Sequence, residues 1–196
     1  MCYRPIDYCK RNNSYYYKYW KVSNHMSTLS VDTIQGQTTA ANVKFPAGSV
    51  LQVVQGEVLT QITNSSSSYG DVVTKAITPK YNNSKILIQC SGCGTPQTGN
   101  ALYFKLLRGS TEIGSGTGGG YYNVAGALTN PGSSGGTVAF DVKGFSIQFL
   151  DSPATTSATT YKLQAAAVNG TAKIGGRQDN TDIAVPSKIT LMEIAQ

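Results

Sequence analysis

The feature that most constrains this chain is a side-chain alternation of period two that recurs from about residue 50 onward. Ile86, Ile88 and Cys90 share one side of Lys85–Cys90, and Leu102, Phe104 and Leu106 share one side of Ala101–Arg108. Phe145, Ile147 and Phe149 oppose Ser146 and Gln148, while Tyr161, Leu163, Ala165 and Ala167 oppose Lys162 and Gln164. In Thr137–Lys143 the same pattern sets Val138, Phe140 and Val142 against Thr137, Ala139, Asp141 and Lys143. Alternation of this kind marks half-buried strands, because successive side chains of a strand point to opposite faces. Val50–Ile62, Val72–Ile77 and Lys188–Ile194 complete the candidates, and no segment carries a helical stripe. The separators Asn64–Gly70, Tyr81–Ser84, Arg108-Gly109-Ser110, Pro131-Gly132 and Asp151-Ser152-Pro153 are turn-formers. This pattern predicts an all-β, antiparallel sandwich of jelly-roll or Greek-key type with an extended N-terminal arm.

Composition removes the competing classes. Charged residues are 13 % of the 196, about half the usual share, which argues against coiled coils and charged disordered tails. The 21 glycines follow no Gly-X-Y period. No apolar run approaches the roughly 18 residues of a spanning helix, so no membrane insertion is expected. The net charge of +6 is concentrated: Arg4, Lys10, Arg11, Lys18 and Lys21 against Asp7 place +4 within residues 1–25. Such an arm suits nucleic acid, an acidic surface or lipid headgroups equally, so no specific nucleic acid is expected as a partner.

Three segments follow. Residues 1–25 are a basic, Tyr-rich arm holding six of the twelve tyrosines, with Tyr15, Tyr16, Tyr17 and Trp20 as candidate attachment residues. It shows no sustained periodicity and is expected to have no fold of its own. Met26-Ser27-Thr28-Leu29 reads like a start, which makes the arm either an anchor or translated upstream sequence; it lacks the apolar core of a signal peptide. Residues 26–48 read as an extended attachment segment, with Leu29, Val31 and Ile34 as further attachment candidates, and 49–196 as the sandwich. A sandwich leaves edge strands, and so few charges to blunt them favour self-assembly, with a homotrimer as the expected form.

Candidate chemistry is sparse. His25 is the only histidine and lies in the arm, which argues against histidine-based catalysis and His-rich metal sites. Cys90-Ser91-Gly92-Cys93 has redox or zinc spacing, but Gly94–Gly99 is a poor helix start, and Cys2 and Cys9, the other two cysteines, are more widely spaced and lie in the arm, so Cys90 is expected in the core and Cys93 in a loop. Gly114–Gly119 matches GxGxxG without the strand-to-helix context a dinucleotide needs. Asp179, Asn180 and Asp182 cluster oxygen donors without EF-hand spacing. Asp141, Asp151, Asp179 and Asp182 are the carboxylates available for glycoside hydrolysis, and none has a local cause for a raised pKa. No catalytic residues, cofactor or metal are therefore expected. The candidate ligand contacts are Tyr121, Tyr122, Asn123, Asn169 and Arg177, and the candidate recognition loops are Gly114–Tyr122 and Asn169–Asp182.

The strings Ser27-Thr28-Leu29-Ser30-Val31-Asp32-Thr33-Ile34-Gln35 and Phe45-Pro46-Ala47-Gly48-Ser49-Val50-Leu51-Gln52-Val53-Val54-Gln55 resemble the opening of tailed-bacteriophage virion structural proteins from marine and cyanobacterial phages. Ser84–Ile88, Leu106–Thr111, Phe145–Pro153, Thr159–Gln164 and Ile189–Ile194 look like later strands of that family, and residues 1–25 match nothing in it. The resemblance implies a non-enzymatic tail-fibre or head/tail appendage protein located in the virion and assembled in the bacterial host cytoplasm. Its implied partners are itself, other virion proteins and a host-surface glycan or protein. A capsid-decorating protein is the alternative within that class, and a carbohydrate-binding module or polysaccharide-degrading enzyme the alternative outside it.

Overall fold

The computed structural model describes residues 45–117, 123–130, 141–168, 170–179 and 181–196, together with the backbone of 8–11 and 14–17. The chain divides into two compact units, residues 1–43 and 44–196.

In the first unit, β1 (Tyr8–Arg11) and β2 (Ser14–Tyr17) form an antiparallel hairpin in which Tyr8 is opposite Tyr17 and Cys9 opposite Tyr16. The arm therefore carries regular structure that the absence of sustained periodicity did not suggest. Four-residue strands are too short to show a period, whereas tyrosine favours strands.

The second unit holds the sandwich. Its strands are β3 (Val50–Val58), β4 (Ile62–Asn64), β5 (Gly70–Ile77), β6 (Lys85–Pro96), β7 (Asn100–Arg108), β8 (Thr111–Ile113), β9 (Gly126–Asn130), β10 (Lys143–Asp151), β11 (Thr159–Val168), β12 (Ala172–Ile174) and β13 (Ser187–Ile194). One sheet runs β3-β13-β6-β10, and the short β12-β4 pair continues it beside the end of β6. The other runs β5-β11-β7, with β8 and β9 end to end on the far side of β7. Counting β3, β5, β6, β7, β9, β10, β11 and β13 as first to eighth, the sheets read 1-8-3-6 and 2-7-4-5. That order, with every ladder antiparallel, is the jelly roll, so the expected fold class holds.

The alternating residues build the core as their pattern predicted. Ile86, Ile88 and Cys90 of β6 and Ile189 and Leu191 of β13 face Leu102, Phe104 and Leu106 of β7 and Tyr161 and Leu163 of β11, all fully buried. Phe104 meets Phe145 across the layers with ring centroids 4.4 Å apart. Two polar devices close one end, both in the row of Ile86. Asp151 on β10 accepts from Arg108 on β7 (2.8 and 2.9 Å) and from the Tyr161 hydroxyl on β11 (2.7 Å), tying one sheet to the other. Buried Glu193 on β13 accepts from the backbone amides of Lys80 (2.7 Å) and Tyr81 (3.3 Å) and from Gln52 (2.6 Å), fixing the β5–β6 connection.

Several boundaries differ from the expectation. Val50–Ile62 is broken after Val58, because β3 pairs with β13 while β4 pairs with β12. β6 runs six residues past Cys90, through glycines that read as loop. A Cβ on Gly92 would lie 2.8 Å from the Phe145 ring and one on Gly94 2.8 Å from Leu102, so these positions are small because the opposing side chains fill the space. Val142 precedes β10 and is 37 % exposed, not inward-facing. Residues 131–140, which include Val138 and Phe140, lie outside the described residues.

Candidate functional site

The described part of the Asn169–Asp182 segment carries β12 and the turn that follows it. Ala172 and Ile174 of β12 are buried between β6 and β4. After them Gly175 turns with φ +78° and donates to Cys93 O (2.8 Å), Val185 N–H donates back to Gly175 O (2.8 Å), and Thr95 Oγ1 donates to Gly176 O (2.8 Å). Gln61 Nε2 holds Ile183 O (2.8 Å) from the other side. Residues 175–186 are thus a flap pinned over the outer face of β6.

The flap explains Cys93, which lies in strand β6 and is buried, not in a loop. Cys90 and Cys93 are three residues apart on one strand and therefore point to opposite faces. Burial raises both thiols, Cys90 to about 12. The pair can neither close a disulfide nor chelate one ion in this geometry. Among the described residues no cluster of three potential metal ligands exists.

Arg177, one of the expected ligand contacts, is half-buried and engages Asp179 through two nitrogens. The same pairing occupies both Asp179 oxygens; Asp182 is exposed, and Asn180 lies outside the described residues. Asn123 is exposed on the excursion between β8 and β9. Tyr121, Tyr122, Asn169, Trp20, Leu29, Val31 and Ile34 lie outside the described residues, and Tyr15, Tyr16 and Tyr17 are strand β2. The GxGxxG string begins with Gly114 at φ +67°, where a Cβ would lie 2.9 Å from the Phe149 ring, and leads from β8 toward β9, both of which pair with β7. Among the described residues there is no helix for a pyrophosphate to sit on.

The structure brings together residues that were not singled out. At one end of the sandwich the β6–β7 turn meets the β11–β12 turn: Gln97 N–H donates to Thr171 O (2.9 Å), and Gln97 Oε1 accepts from Thr171 N–H (3.2 Å). Gln178 Nε2 donates to Thr95 O and Thr171 O, and Asn130 Nδ2 to Pro96 O (3.0 Å). Beside this amide-rich end, Asn100, Tyr103, Thr129, Asn130 and Val168 line a recess of about 300 Å³. Amides, hydroxyls and a tyrosine without a lining carboxylate can bind a neutral polar ligand but offer no acid or base. The signal in sequence was diffuse, since these residues come from three separate turns and strands.

No protein-family model matches the sequence, and no curated protein matches it either. Among solved structures, the crystal structure of the infectious bursal disease virus VP2 subviral particle is similar at a TM-score of 0.39 and 10 % identity, covering 95 % of this chain and 46 % of that one. The chain thus spans less than half the length of that protein.

Proposed function

We propose that this protein is a non-enzymatic structural component of a tailed-phage virion, a self-associating jelly-roll domain of a fibre or appendage that touches the host surface. The observation that carries the reading is the 1-8-3-6 and 2-7-4-5 strand order in a charge-poor domain, an architecture used widely by capsid and lectin domains. This is analogy at the level of fold, joined to the sequence resemblance, and the site supplies the chemistry. The amide-rich end with Tyr103 and Asn100 suits hydrogen bonding and ring contact with neutral surface glycans. Many copies on one particle convert weak single-site contact into firm attachment. The N-terminal segment serves as the anchor, and assembly takes place in the bacterial cytoplasm. The homotrimer expected from charge poverty and the two-fold pair argued below are separate stoichiometries, which sedimentation of the purified chain distinguishes.

Mass spectrometry of purified particles tests the reading, with the protein expected at many copies per virion and gold labelling expected on fibres or appendages. Labelling spread over the capsid shell would favour the decorating role. Absence from particles, or glycan turnover by the purified protein, would overturn the proposal.

A further inference from the structure

The two outer faces of the sandwich are chemically different. On the β5-β11-β7 sheet, Lys162 pairs with Asp71 (2.9 Å) and Lys105 with Glu112 (2.6 Å), which makes that face a solvated ionic surface. The β3-β13-β6-β10 sheet instead carries one apolar row across all four strands. Val53 is opposite Met192, Met192 opposite Leu87, and Leu87 opposite Leu150. Val53 and Leu150, at the two ends of the row, are 55 % and 48 % exposed.

We infer that this face packs against the same face of a second copy, about a two-fold axis that lies between the faces and runs parallel to the strands. The face is self-complementary about this axis. Such an axis reverses strand order and keeps each row opposite itself, so Val53 meets the partner's Leu150 and Met192 meets the partner's Leu87. The next row, Gln55-Thr190-Gln89-Gln148, sets amide against amide. The row after that holds the charges of the three, Glu57 and Lys188, which neutralise each other across β3 and β13 and face the partner's Ser146 and Ser91. No like charges oppose, and no apolar side chain faces a charge within these rows. Four strands at about 4.8 Å spacing and three rows about 6.6 Å apart make a face of roughly 20 by 20 Å, bounded at one end by the flap over Cys93 and Thr95, so the flaps of the two copies abut at that end. The inference rests on the self-association proposed above and names its face from strand register; association that persists in V53K/L150K would remove the face while leaving self-association intact.

The full chain in sedimentation equilibrium is expected to form dimers. V53K/L150K is expected to weaken association at least tenfold while leaving the unfolding midpoint of the dilute protein unchanged, because both side chains are solvated in the monomer. In a Cys2→Ser, Cys9→Ser background, Val53→Cys with Leu150→Cys is expected to cross-link between copies with a short bis-maleimide. Val53→Cys alone is not, since its two copies lie about three strand spacings, or about 14 Å, apart. A strictly monomeric protein, association insensitive to V53K/L150K, or equal cross-linking by the single variant would each overturn the inference.

Discussion

At the scale of single residues, Asp151 ties the two sheets together. It is 6 % exposed and serves a guanidinium and a phenol that belong to the opposite sheet. Asp151→Ala is expected to cost about 3 kcal/mol, because it strands the Tyr161 hydroxyl and leaves Arg108 without its partner. Tyr161→Phe alone should cost about 1 kcal/mol, and the double variant should be no worse than Asp151→Ala, a non-additivity readable by urea unfolding. The same region sets the alkaline limit. Burial, reinforced by Asp151, holds the Tyr161 phenol above its usual 10.0, and burial moves the Cys90 thiol from 9.0 to about 12. Both groups stay neutral in the fold while the unfolded chain ionises first. Their contribution to stability is therefore complete below about pH 9 and is lost as pH rises toward about 12. Urea midpoints are expected to fall across that window, and Cys90→Ala with Tyr161→Phe to flatten the fall.

At the scale of elements, β6 shows what was legible and what was not. Its first half, with Ile86, Ile88 and Cys90 alternating, was readable directly. The second half was not, since glycine carries no side chain from which to read a face, and the reason for Gly92 and Gly94 sits on β10 and β7. β12 escaped notice for a related reason: three residues cannot display a period, and burial of Ala172 and Ile174 comes from pairing with two distant strands. Gly94→Val is expected to destabilise by about 2 kcal/mol or more, because Leu102 already occupies the space its side chain would need. Thermal denaturation would report it. Glu193→Ala should cost about 3 kcal/mol by leaving the Lys80 amide without its acceptor, and hydrogen exchange should rise first at residues 80 and 81.

For the whole molecule, the sandwich followed from alternation, but its contact surfaces required register. Neither the Val53-Met192-Leu87-Leu150 row nor the amide-rich end is contiguous in sequence, and both appear only when strands far apart in the chain are set side by side. Conversely, Arg177 and Asp179 looked available in sequence because their mutual pairing could not be seen there. If two copies stack as inferred, the melting temperature rises with protein concentration for the native chain and not for V53K/L150K, which differential scanning calorimetry would show.

The pairing of β3 with β13 brings the entry and exit of the jelly roll to one corner, where Gly48 N–H donates to Ala195 O (2.8 Å) and Ala195 N–H to Ser49 O (2.9 Å). The fold accordingly has no obligatory beginning. A short glycine-serine bridge from residue 196 to residue 45, with the chain reopened in the exposed turn at Gly109-Ser110, is expected to yield a circular permutant with the same circular-dichroism spectrum. By the same reasoning the domain can be carried as a cassette inside a longer polypeptide, entering and leaving through a single doorway.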